Sequence, residues 1–266
     1  AGYSEQDMQN LDWDQFIEIG KQVKQKTGVN MLTYDINDVV LPHIMMQSGG
    51  EWFFKEDGSL NIVDNKALKE TLLTIKKIND AKIVRPTSGW SSFVGAFNAG
   101  HVATVTSGVW IMGSIKSVDE QAGKWRVAPI PRLNLDTAVQ ASNQGGSSWY
   151  VLNSSKHKQA AIEFLNATFA KDTDMYQKLL LERGALATYL PASTGEAYGE
   201  EAPFFGGQKV FQDFAKWVGE IPQVQYGMFT QEVDNAIAAE IPALLKGEPV
   251  DEILKRVENN LKYQIM

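Results

Sequence analysis

Apolar positions recur along this chain at helical spacing, interrupted by short continuous apolar runs that read as buried strands. Trp13, Phe16, Ile17, Gly20 and Val23 share one face, preceded by Asp12 with Gln15 placed to complete a capping box. The spacing predicts a helix that closes at Thr27-Gly28. Residues 29–34 then read as a strand, and residues 39–47 as a helix stopping at Ser48-Gly49-Gly50. Residues 51–60 predict a hairpin-like excursion turning at Asp57-Gly58. A further helix over 67–79 turns Leu68, Leu72, Ile75 and Ile78 inward. A helix over 90–99, a strand over 101–106, a helix over 110–116 and a strand over 125–130 follow, the last closed by Pro131.

The character changes after that. Residues 135–148 are small and polar and read as a crossover. A strand over 147–152 and helices over 158–170 and 172–182 come next, ended by Arg183-Gly184-Ala185. Tyr189-Leu190-Pro191-Ala192 reads as a second crossover. Helices are expected over 204–218, 228–246 and 250–264, with Pro242 kinking or splitting the middle one. In the last, Val250, Ile253, Leu254, Val257 and Leu261 form one stripe. Strands alternating with helices argue for α/β layers over a mostly parallel sheet.

Composition removes several function classes. Over 266 residues the net charge is −7 with no run of like charges, so no phosphate-tracking surface is expected and no nucleic acid partner is assigned. There is no cysteine, which removes disulfides, thiolate metal ligands and a cysteine nucleophile together. His43, His101 and His157 have neither metal-ligand spacing nor a carboxylate triad in view, and His101 and His157 are expected at the surface. No serine stands in a Gly-x-Ser-x-Gly elbow, and no phosphate-binding glycine loop is present. No cofactor, metal or catalytic residue is assigned.

Several short motifs then line up in order. Phe97-Asn98-Ala99-Gly100 leads into a strand, and Ser107-Gly108-Val109-Trp110 follows it. Gly145-Gly146 precedes Asn153-Ser154-Ser155-Lys156-His157-Lys158-Gln159-Ala160-Ala161, with Phe164-Leu165 beyond, and Gly247-Glu248-Pro249-Val250-Asp251-Glu252-Ile253-Leu254 opens the last helix. Across nearly the whole chain these resemble the extracellular solute-binding proteins of ABC sugar importers, the maltose-binding-protein-like family 1. The resemblance implies an α/β, periplasmic-binding-protein-like type II fold, with a complete C-terminal lobe plus an incomplete N-terminal lobe. The C-terminal lobe would comprise residues 1–140 and 197–266, and residues 141–196 would belong to the other lobe, with hinge crossovers near 141–148 and 189–196. It implies an N-terminally truncated chain that has lost its targeting or lipid-anchoring segment. It also implies an extracellular location, as a membrane-anchored lipoprotein or periplasmic, and ABC transporter permease subunits as partners. An open strand edge and apolar helix face within 141–196 are expected to drive self-association, disorder or repacking of that segment.

Sugars are held by aromatic faces and planar polar groups. The resemblance places ligand-facing aromatics at Trp110 and Trp90, against the alternative of core tryptophans at helix starts. Tyr226 and Phe229 compete for a third such position, where a hydrophobic staple is the plain alternative. Gly145 and Gly146 are candidates for a hinge or a close ligand approach. Asp35 and Asp38 flank a strand-to-helix turn and could accept sugar hydroxyls, Asp38 also reading as a helix cap. Trp52 is expected near a cleft rim, and Trp13, Trp125, Trp149 and Trp217 in packing roles. The expected function is capture of an extracellular sugar or oligosaccharide for a membrane permease. The alternatives are a carbohydrate-active hydrolase using Asp35 or Asp38, a non-sugar solute-binding protein of the same fold, and a partner-interaction protein without a small ligand.

Overall fold

The computed structural model describes residues 1–35, 38–144, 146 and 148–265. In chain order the regular elements are α1 (Trp13–Thr27), β1 (Asn30–Asp35), α2 (Val40–Ser48), α3 (Lys66–Asp80), β2 (Val84–Thr87), α4 (Trp90–Asn98), β3 (Val102–Val105), α5 (Met112–Ile115), α6 (Lys158–Ala167), α7 (Thr173–Arg183), α8 (Val210–Val218), α9 (Thr230–Leu245) and α10 (Val250–Ile265). The chain forms two compact units. One comprises Ala1–Thr106, Ala128–Gln144 and Glu220–Met266; the other comprises Ser107–Val127 and Gly145–Gly219.

The first unit is built on a parallel three-stranded sheet of order β2-β1-β3. Met31, Leu32, Thr33 and Tyr34 of the central strand are all buried, as a strand covered on both faces requires. The edge strand β2 carries Pro86 and was absent from the expected elements. An edge tolerates proline because only one side of the strand must supply ladder donors. Helix α1 opens with the expected capping box: the Gln15 amide donates to Asp12 Oδ1 at 2.7 Å and the Asp12 amide to Gln15 Oε1 at 3.0 Å. It closes at Gly28, whose φ of 76° lies in the left-handed region. A side chain at Gly20 would meet Met31 and Ile83 at 2.9 Å, so the glycine lets α1 lie directly on the sheet.

Helices α3, α9 and α10 bring Leu68, Leu72, Ile75, Ile237, Ile241, Leu254, Val257 and Leu261 into the same core. Each such burial contributes roughly 1.5–3 kcal/mol against exposure. Of the kink or split expected at Pro242, the split does not occur: helix α9 continues through it. Arg256 of α10 donates from Nε to Glu240 at 2.9 Å and from Nη1 to Glu248 at 2.6 Å, fastening α10 to α9 and the turn between them. Residues 51–60 form the expected excursion, with one antiparallel bridge from Phe54 to Leu60 and Gly58 at a φ of 80°.

The second unit has no sheet among the described residues. Residues 125–130, of which only 125–127 belong to this unit, and the described residues of 147–152, both expected as strands, are irregular. A strand is defined by its partner, and neither segment has one. Phe205, Val210, Phe211, Tyr176, Leu180 and Tyr198 are buried here. Gln177 ties the unit locally, donating to the Ala192 carbonyl at 2.8 Å and accepting from the Ala197 amide at 3.1 Å. The expected helix over 204–218 is interrupted by Gly206 and Gly207, both at positive φ, and only α8 remains.

These units differ from the expected division over 107–127 and 197–219, which belong with 145–196 to the second unit. The Val127 amide donates to Gln208 Oε1 and Gln208 Nε2 to the Val127 carbonyl, both at 2.8 Å. Gly184 sits against the Val109 carbonyl. Helix α6 buries no residue, and Trp149, expected as a packing residue, is 64% exposed.

Candidate functional site

Parallel α/β sheets offer ligands the loops at the carboxyl ends of their strands. In the first unit β1 ends at Asp35 and β2 at Thr87, and the loop after β2 delivers Trp90 as the first residue of α4. The Asp35 carboxylate accepts the Gly89 amide hydrogen at 2.6 Å, so the end of β1 fixes the turn ahead of Trp90. Gly89 adopts φ 75° and ψ 161°, a conformation that demands glycine. Trp90 is 54% exposed and leans on Phe93 at 5.9 Å.

Asp38 Oδ1 accepts from the Val40 amide at 3.1 Å, at the start of α2. The residue as a whole is exposed, yet its carboxyl loses part of its hydration against the surrounding protein. This desolvation pushes the carboxyl above its ordinary value, and the nearby Asp35 charge adds to the rise, while the Val40 amide and His43 oppose it.

Of the competing aromatics ahead of α9, Phe229 packs against the core. Tyr226 is 54% exposed, with its ring edge-on to Trp52 at 5.0 Å. Trp52 itself is buried rather than at a rim: its indole is enclosed by His43, Phe53 and Tyr226. His43 is also buried, and its Nε2 lies 2.6 Å from Asp234 Oδ1. A carboxylate partner for a histidine was not in view in the sequence, because these two residues stand 191 positions apart. His101 and His157 are exposed, as expected.

In the second unit Trp110 lies in a 3-10 turn, Val109–Ile111, and is 44% exposed. Its indole folds back over Gly108, where an added Cβ would fall 2.5 Å from Trp110 Nε1. Gly108 thus has to be small for the ring to keep this position. Gly146 is exposed at φ 116° with open space beside it, and Gly145 lies outside the described residues. Two concavities within the units lie elsewhere. One of about 400 Å³ is lined by Asp174, Gln177, Pro191 and Glu196, and one of about 830 Å³ by Tyr3, Gln15, Glu18 and Lys77. Neither contains a candidate aromatic. Among the described residues no group of three or more histidines and carboxylates could hold a metal, and no helix is long and apolar enough to cross a membrane.

Residues 5–202 match the family model described as bacterial extracellular solute-binding protein. The chain belongs to that family. All of it aligns with a lactose-binding protein of Rhizobium radiobacter at 55% identity over 265 residues, spanning 63% of that protein. An arabinooligosaccharide-binding protein of Bacillus subtilis (strain 168) is 29% identical over 185 residues, covering 68% of this chain and 41% of its own length. The chain thus spans about three fifths or less of these curated relatives. Among solved structures it is similar to the ABC transporter associated binding protein of B. animalis subsp. lactis Bl-04 in complex with beta-1,6-galactobiose. That match has a TM-score of 0.73 at 24% identity, covering 94% of this chain and 65% of the other. The GacH receptor of Streptomyces glaucescens matches with a TM-score of 0.75 at 20% identity, covering 96% and 64%. Such matches establish the periplasmic-binding-protein-like fold for this extracellular solute-binding family member.

Proposed function

We propose that this chain is the greater part of a receptor that captures a sugar outside the cytoplasmic membrane and passes it to the permease of an ABC importer. A galactose-containing disaccharide of the lactose type is the ligand class this reading favours. The observation that carries it is the 55% identity to a lactose-binding protein along the whole chain. The half-exposed rings of Trp90, Trp110 and Tyr226 support it, since apolar sugar faces stack on such rings. The reading is of binding without turnover. It is supported by the family match and by the curated relatives, which are binding proteins.

The lobe division at residues 140 and 197 belongs to the same proposal. A structure of the natural full-length protein that retained 107–127 packed on 145–196 would count against it. The functional test is calorimetry of that protein with lactose, beta-1,6-galactobiose and an arabino-oligosaccharide, followed by analysis of the recovered sugar. Saturable binding with sugar recovered intact is expected. Cleaved sugar would favour the hydrolase reading, and absence of binding to all three would remove the sugar reading.

A further inference from the structure

Helices α2 and α9 meet at the buried contact between His43 and Asp234, with Nε2 2.6 Å from Oδ1. A buried carboxylate without a partner is costly, so this contact sets the plane of the imidazole ring. The same ring lies 4.8 Å from the Trp52 indole and 5.6 Å from Phe53. Among the described residues the buried Trp52 Nε1 has no hydrogen-bond partner, so packing, including these ring contacts, orients the indole. Tyr226 also meets Trp52, edge-on at 5.0 Å, and is the one half-exposed ring of this group.

The chain next to Tyr226 is seated just as closely. An added Cβ at Gly227 would fall 2.3 Å from Phe54 Cδ2, so the backbone rests directly on that ring. Thr230 then opens α9, the helix that carries Asp234. Tyr226 is therefore tied to the His43–Asp234 contact along two routes, one through Trp52 and one through α9.

We propose that His43 and Asp234 are positioning residues that hold Tyr226 in its outward orientation through Trp52. The consequence for affinity rests on the sugar-capture reading, with Tyr226 as one of its ligand contacts; the positioning itself does not. Removing the contact while keeping the core filled frees the indole, lets the tyrosine leave its seat and loosens the segment ahead of α9.

The first measurement is hydrogen exchange on the ligand-free chain. His43→Phe alone leaves Asp234 buried and unpaired and risks unfolding, so the informative variant is His43→Phe with Asp234→Leu. Amides of residues 224–229 are expected to exchange about tenfold faster in this double variant, with α1 and α3 unchanged. Asp234→Asn retains an acceptor for Nε2–H and is expected to exchange like the parent. No acceleration in the folded double variant, or an equal acceleration throughout the first unit, would overturn the proposal.

The second measurement is calorimetry with lactose on the natural full-length protein. The double variant is expected to weaken binding by about fivefold or more, and to weaken it no further when Tyr226→Ala is already present. An equal loss in the Tyr226→Ala background would overturn the positioning role. If the parent fails to bind lactose, the sugar reading falls, and the exchange measurement still decides the positioning role by itself.

Discussion

The Asp35 carboxylate holds the Gly89 amide at 2.6 Å, linking the end of the central strand to the turn that presents Trp90. A hydrogen bond to a charged acceptor in a partly exposed place contributes about 1–2 kcal/mol. Asp35→Ala is therefore expected to lower the stability of the first unit by that amount, whereas Asp35→Asn, which keeps an acceptor, should lose less. Chemical denaturation of both variants checks this. Equal stability for parent and Asp35→Ala would mean that the turn is held by the Gly89 conformation alone.

Asp38 makes stability depend on pH in a defined direction. Desolvation, aided by the Asp35 charge, raises its carboxyl above the ordinary 3.8. A raised carboxyl favours the protonated form of the folded chain. The stabilisation from Asp38 is thus fully present below about pH 3.8 and is lost as pH rises through its folded value. Asp38→Asn should be at least as stable as the parent at pH 7, and its thermal midpoint should fall less between acid and neutral pH. A parent and variant with parallel pH profiles would show that the carboxyl titrates as in the unfolded chain.

The helices were the most legible elements, because amphipathic spacing and end signals are local. The Asp12–Gln15 box, the Gly28 cap and the Val250–Leu261 stripe all appear where the pattern placed them. Strands were less legible, since they exist through partners far along the chain. Residues 125–130 and the described part of 147–152 had strand-like composition but no partner, while β2, short and carrying Pro86, had a partner and weak composition. The candidate positions were visible as residues at loop ends, but their environments were not. Burial of Trp52 and the pairing of His43 with Asp234 depend on α2 and α9 meeting, which no local window contains.

Trp110 is half exposed and rests over Gly108, so truncating it removes little core contact. In the natural full-length protein Trp110→Ala is expected to weaken sugar binding by about 1–3 kcal/mol, the scale of losing one aromatic stacking surface. The thermal midpoint of the ligand-free protein should stay nearly unchanged. Paired calorimetry and thermal unfolding separate the two effects. A collapse in stability with undiminished affinity of the remaining folded molecules would assign Trp110 to the core instead.

The second unit leaves an unusual amount of apolar surface in water. Trp149 and Phe164 are 64% and 61% exposed, and Tyr150, Leu152 and Ile162 are exposed beside them in sequence. Helix α6 buries none of its side chains. Contiguous apolar surface of several hundred Å² on a soluble chain usually finds a partner. This chain is therefore expected to self-associate through residues within 141–196, with an apparent mass in light scattering that rises with concentration. Placing charge there, as in Phe164→Glu, should lower that mass at equal concentration. Phe164 is exposed, so this change should not disturb the buried Tyr176 and Leu180 of α7. A concentration-independent monomer mass for the parent chain would show that this face stays solvated, and the expected association would be abandoned.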